Sequence, residues 1–177
     1  TFADKNAGNG KTVTCTGITL SGTNAGNYSL SAASASKTSA ASITKRLITI
    51  KANDQTITYG SSITTGTAQV TISSGTLATN DALVGITLTQ STTNYTTNGS
   101  ITPSAATIKD SNGTGNAMTT NYTISYDTGV LKINKASLTP SVNTCNDKVY
   151  DASASATCTI SLATPTLSLT AKSTAYT

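Results

Sequence analysis

Three cysteines (Cys15, Cys145 and Cys158) and seven aspartates carry most of the chemistry available to this 177-residue sequence. His, Glu and Trp are absent. Without histidine there is no Ser–His or Cys–His pair to activate a nucleophile. With aspartate as the only acid, a paired-carboxylate site needs two of the seven to meet. Asp4, Asp54, Asp147 and Asp151 stand in turn-like contexts, where Asp normally bonds local backbone amides. No catalytic residue is assigned, no cofactor is implied, and the chain reads as a non-enzyme. The stretch "DSNGTGN", residues 110–116, has the start of a calcium loop but no closing Glu. No metal ligand set is assigned either.

The cysteines are more informative. Cys15 shares a strand face with Val13, and Cys158 shares one with Ile160 and Leu162. Both should point inward, which favours a Cys15–Cys158 disulfide. Cys145 stands in a polar stretch. It is an alternative partner for Cys158 across the Tyr150 turn, or a link between neighbouring strands of a bundle. Sugar sites favour an exposed aromatic beside polar groups, and Tyr95 in "TTNYTTNG" is the best candidate, because the remaining tyrosines mostly fall in strand phase. Asn-x-Ser/Thr triplets occur at Asn27, Asn94, Asn98, Asn112 and Asn121; those in loops are open to glycosylation.

These residues must be positioned by strands. Only 10% of the chain is charged, where roughly 25% is usual, and about a third is Ser or Thr. The surface is therefore made soluble by hydroxyls and amides. The net charge of +4 is scattered, and the one adjacent basic pair is Lys45-Arg46. Nucleic acid is excluded as a partner because no basic stripe carries interleaved aromatics. Membrane insertion is excluded because no run of about 18 apolar residues exists. No signal peptide is visible, which reads as a mature or internal segment.

Apolar residues alternate in many short stretches: Ile48 and Ile50; Ile57 and Tyr59; Val70 and Ile72; Val84, Ile86 and Leu88; Tyr122, Ile124 and Tyr126; Leu131 and Ile133; Cys158, Ile160 and Leu162; Leu167 and Leu169. Period two in segments bounded by Gly, Asn, Asp and Ser predicts antiparallel strands with one buried face. A phase change near Gly17 predicts a bulge. Asn9-Gly10, Asn98-Gly99, Asn112-Gly113 and 127–129 read as hairpin turns. The predicted class is all-β, built from small antiparallel sandwich-like, Ig-like modules.

The sequence also repeats itself. "NYSLS" from Asn27 leads into "ITKRLITIKANDQTITYG", and "NYTIS" from Asn121 leads into "INKASLTPSVNTCNDKVYD". Each has an Asn-Tyr strand, then Ile-x-Lys, a further strand, Asn-Asp, and a Tyr before a turn. One complete module then spans 47–135. Residues 1–46 are the back half of a module and 136–177 the front half of the next, completed by residues 1–46 of the following copy. Modules stack end to end with almost no linker, as in an array. In the hybrid module Cys15 and Cys158 fall on a late and an early strand, so their bond would join adjacent copies.

The residues "DKVYDAS", with "TFADKNAGNGKTVTCTGITLSGTNAGNYSL", resemble the YDG domain, with Ala152 where its Tyr-Asp-Gly turn has glycine. "ITIKANDQTITYGSS" and "NYTISYDTGVLKINKA" resemble the MBG domain of the Tyr-Gly type. Both families occur as tandem modules in very large secreted bacterial adhesins, including filamentous-haemagglutinin-like proteins. The resemblance implies an extracellular, cell-surface location and a structural repeat unit of a stiff stalk or fibre. Its partners would be adjacent copies, in a covalent array or a head-to-tail polymer. A glycan- or mucin-binding module is the alternative.

Overall fold

The computed structural model describes residues 1–161. The expected strand at Leu167 and Leu169, and the position of Leu162, lie outside the described residues. The chain falls into two compact units, Thr1–Asn134 and Lys135–Thr177. The first unit holds both the expected half-module 1–46 and all but the last residue of the expected module 47–135. Regular structure among the described residues consists of β-strands and short 3-10 turns. The protein is all-β, in keeping with its branched and aromatic residues.

In the first unit β1 (Gly8–Thr16) and β2 (Ser34–Ile43) pair antiparallel. There follow β3 (Arg46–Ala52), β4 (Gln55–Thr58), β5 (Val70–Ser74), β6 (Ala82–Gln90), β7 (Thr96–Lys109), β8 (Tyr122–Asp127) and β9 (Gly129–Asn134). They build two sheets, β5-β3-β8 and β4-β9-β7-β6. The inner residues of both enter one core. Ile48, Ile50, Val70 and Tyr122 come from the first sheet; Leu88, Ile101, Ile108, Leu131 and Ile133 come from the second. The alternation at 48/50 and 131/133 thus marks buried faces.

Among the described residues five strand pairs are antiparallel as expected, and two correct that expectation. β3 runs parallel to β8, and β4 runs parallel to β9. Arg46 lies opposite Tyr122 and Thr58 opposite Asn134, a constant offset of 76 residues across both sheets. The cause is a shared path. Residues 46–58 and 122–134 each leave one sheet, turn, and enter the other, so each forms an arch. The two arches lie side by side and point the same way. Val130 N–H donates to Asp54 Oδ1 at 2.7 Å where they turn. At the same corner a β-carbon on Gly129 would sit 2.6 Å from the Ala52 carbonyl oxygen and 2.7 Å from that of Asn53.

Bulges change several face assignments. Register shifts flank Gly85 in β6, so Val84 is exposed while Leu88 is buried and Leu83 and Ile86 pack against the core. The Val84-Ile86-Leu88 face is therefore not a single face. Gly17 follows the end of β1 at φ +69 and does not bulge within it; the shifts in β1 lie earlier, between Gly8 and Val13. Asn98-Gly99 lies inside β7 at a register shift against β9, and is not a hairpin turn.

In the second unit β10 (Ser141–Cys145) and β11 (Cys158–Ser161) pair antiparallel. Between them Asp151 Oδ1 accepts from Ser153 N–H at 3.0 Å and from Lys148 Nζ at 2.8 Å. Ala152 has φ +57, the left-handed conformation that glycine adopts without a Cβ penalty.

Candidate functional site

A group of polar side chains ties the residues before β1 to those before β8. Ala7 N–H donates to Asn121 Oδ1 at 2.9 Å, and Asn121 Nδ2 donates to Asn6 Oδ1 at 3.0 Å. Lys5 Nζ donates to Asp110 Oδ2 at 2.7 Å. Asp110 closes its own loop: its Oδ1 accepts from Asn116 N–H at 2.6 Å, and its carbonyl accepts from the N–H of Gly113 and Gly115 at 3.0 Å each. A β-carbon on Gly115 would lie 1.9 Å from Asp110 Oδ1. The "DSNGTGN" loop therefore wraps one carboxylate, whose oxygens meet a lysine ammonium and a backbone amide. Among the described residues no three His, Cys, Asp or Glu side chains gather to hold a metal ion.

Beside this clamp lies a cleft of about 260 Å³, lined in part by Lys5, Arg46, Asp81, Asn121 and Tyr122. Tyr122 O–H donates to Asp81 Oδ2 at 2.6 Å and accepts from Ala78 N–H at 2.9 Å. Burial pushes the Tyr122 phenol up, and the bond to Asp81 adds to it. The cleft is smaller than the roughly 300 Å³ at which small-molecule pockets usually begin. Tyr122 bonds Asp81, while Lys5 bonds Asp110, Arg46 bonds Thr76 and Asn121 bonds Asn6 and Ala7, so the arrangement ties chain segments together.

Two predictions arise here. Tyr122→Phe leaves Ala78 N–H and Asp81 Oδ2 without the phenol at a position only 5% exposed. It is expected to cost about 1–3 kcal/mol in urea unfolding; a change within error would mean that water replaces the hydroxyl. The second concerns pH. The Lys5 ammonium, and then the Asn116 amide, hold the Asp110 carboxyl below the usual aspartate value, while burial opposes them. Lys11 and the Asn6 amide lower Asp4 in the same way. A lowered folded pKa stabilises above the unfolded value and is lost as pH falls through the folded one. The melting midpoint of the first unit should hold from pH 7 to about 5 and fall below about 4. Asp110→Asn should lower the neutral midpoint and make the acid limb shallower; an acid limb of unchanged depth would remove the Lys5–Asp110 pair as its source.

The remaining candidates are scattered. Tyr95 is 52% exposed in the loop between β6 and β7, beside Thr92 and Asn94, where Asn94 N–H donates to Thr92 Oγ1. Asn121 is held in the clamp through both side-chain atoms, so its triplet is not open to modification without breaking it. Asn27, Asn94, Asn98 and Asn112 are exposed.

Cys158 is bonded to Cys145, with Cα atoms 3.9 Å apart. Cys15, favoured from its strand phase as the partner of Cys158, is an exposed free thiol on β1. The geometric reason is a register shift in β10 between Val142 and Thr144, which sets Cys145 directly opposite Cys158. The bond closes a 13-residue separation, worth about 3 kcal/mol of loop entropy. All five residues of β10 are exposed, and an isolated hairpin is marginal in water. Cys145→Ser should therefore abolish amide-exchange protection in β10 and β11 and leave the melting of Thr1–Asn134 unchanged. Persisting protection would show that something other than the bond holds the hairpin.

No sequence signal linked Lys5 to Asp110, which are 105 positions apart, or Asn121 to Ala7. The nearest hint was the Asn-Tyr strand motif that contains Asn121. A family model of the YDG domain matches residues 1–37. Those residues are similar to that domain and include β1 and the first part of β2. No curated protein and no solved structure matches the chain.

Proposed function

We propose that this chain is a structural repeat unit of an extracellular bacterial surface adhesin or filament, a non-enzymatic part of a stiff stalk or fibre. The observation that supports it most is the end-to-end economy of the chain. β9 ends at Asn134 and β10 begins at Ser141, so only the short stretch 135–140 joins the strands of the two units. The same Ile-x-Lys text stands at 43–45 and 133–135. On this reading 47–135 is an MBG-like, Ig-like sandwich, its two sheets forming the layers. Residues 1–46 and 136–177 are halves of YDG-like modules. The surface rich in hydroxyls and the clamp that ties segments together fit a load-bearing role.

The test is the intact mass of the native protein under denaturing conditions, without and then with reductant, joined to surface labelling of whole cells. A mass many times 17.8 kDa that survives reduction, on material labelled from outside, supports a covalent surface array. A cytoplasmic protein protected from label would end the reading. Glycan binding is the second reading, favoured by the half-exposed ring of Tyr95. A glycan array without a hit that Tyr95→Ala abolishes would remove it.

A further inference from the structure

We propose that the second unit of one copy is completed by the N-terminal segment of another copy, whose chain runs on from Tyr28 so that residues 31–33 add, as a parallel strand, to the edge of β10 that is unpaired among the described residues. This rests on the repeat-unit reading and names the contact between repeats.

The template is the first unit itself. There β3 is flanked by β5 on one side, antiparallel, and by β8 on the other, parallel. Ala52 lies opposite Val70 and Ile50 opposite Ile72. The β10–β11 pair follows this ladder with one extra residue, Asn143, in β10. Cys145 lies opposite Cys158, and the shift after Val142 brings Val142 opposite Ile160. The disulfide thus stands where Ala52 meets Val70, and Val142 stands where Ile50 is. Among the described residues, however, β10 pairs with β11 alone. Ile50 is fully buried, whereas Val142 is 63% exposed. What covers Ile50 in the first unit has no counterpart in the described part of the second.

The counterpart exists at the other end of the sequence. A 3-10 turn at Thr119–Asn121 delivers Tyr122 into β8, and the Tyr122 N–H donates to the Thr119 carbonyl. A 3-10 turn at Ala25–Asn27 is followed by Tyr28 with the same bond, Tyr28 N–H to the Ala25 carbonyl, and the same extended backbone. Tyr122 is 5% exposed, but Tyr28 is 72% exposed and Leu30 is 42% exposed. Strand β2 follows Tyr28 as β9 follows β8, and each is antiparallel to an earlier strand, β1 or β7. Among the described residues, β10 therefore has an edge with no strand on it, and the stretch that opens at Tyr28 with an extended backbone joins no sheet before β2 begins. Strand addition satisfies the open backbone groups of both. A second copy is the occupant because its own text supplies the missing piece.

The template also sets register. Thr49 lies opposite Ser125 and Ile50 opposite Tyr126. Carried over through the matched ladders, Ser31 falls opposite Ser141 and Ala32 opposite Val142. Paired residues on adjacent strands lie within disulfide reach. Two versions of the full chain are made in a Cys15→Ser background, one with Ser31→Cys and one with Ser141→Cys, and mixed under mild oxidation. The expected result is a reducible product of twice 17.8 kDa that peptide mapping assigns to positions 31 and 141. Replacing Ser31→Cys by Ser29→Cys, two residues out of register, should lose that product. Sedimentation of the unaltered chain reads the same association without any substitution, and should rise with concentration. A chain that stays monomeric throughout overturns the proposal. Association with equal cross-linking at 29 and 31 overturns the strand and its register, yet leaves the head-to-tail repeat reading standing. That reading fails on its own terms, through native mass and surface labelling.

Discussion

Gly129→Ala is expected to destabilise the first unit by about 3 kcal/mol or more, because the added methyl has nowhere to go. Its β-carbon would lie 2.6 Å from the Ala52 oxygen, 2.7 Å from the Asn53 oxygen and 2.9 Å from the Asn53 carbonyl carbon. All three are backbone atoms, so no rotamer change relieves the contact. The obstruction comes from the stacking of the two arches. Residues 52–54 form the corner of one, and Gly129 opens the second limb of the other. Relief means prising the arches apart, which also stretches the 2.7 Å bond from Val130 N–H to Asp54 Oδ1. Urea unfolding should show a lower midpoint with an unchanged slope. A loss below about 1 kcal/mol would show that the corner yields easily and that the constant offset of 76 residues is not held by close packing there.

How much of this was legible in the residues depends on what kind of information was needed. Side-chain alternation reports which face is buried, and it placed Ile48, Ile50, Leu131 and Ile133 in the core. It has the same period in parallel and antiparallel strands, so it could not reveal that β3 runs with β8. It also fails wherever a bulge adds a residue, as around Gly85, where Val84 turns outward. Asn-Gly signals a positive φ, which Asn112 and Gly113 do adopt, at +56 and +93. Asn98-Gly99 takes no positive φ; it lies at a register shift inside β7 and does not end the strand.

The candidate site was less legible still. Its groups come from residues 5–7, 110–116 and 121–122, and their spacing in sequence follows no motif. Asp110 looked like a loop aspartate, which it is. What it also does, accepting from Lys5 across 105 positions, depends on how the N-terminal segment crosses the loop before β8. The phase of Cys158 was readable, but the position of its partner turns on the register shift in β10, one residue of slippage that alternation cannot show. The repeat was the most productive sequence signal. It relates the turn before Tyr28 to that before Tyr122, and the two turns share one hydrogen-bonding pattern.

Leu131→Ala should cost about 2–5 kcal/mol, since the side chain is fully buried and the core around it has contributions from both sheets. Leu131 belongs to β9, between β4 and β7, so the surrounding backbone is paired on both sides and cannot easily collapse into the cavity. Ile50→Ala, on the central strand β3 of the other sheet and equally buried, should cost a similar amount. Leu47→Ala is the control: Leu47 is 71% exposed, and its loss should stay within about 0.5 kcal/mol. The double variant distinguishes one core from two. If the sheets share a core, removing Leu131 loosens what surrounds Ile50, and the two losses should depart from additivity by about 0.5–3 kcal/mol. Strict additivity, measured by urea unfolding of the four chains, would mean that the two sheets hold their inner residues independently. The arches at Asn53 and Thr128 would then be their main connection, not the packing between them.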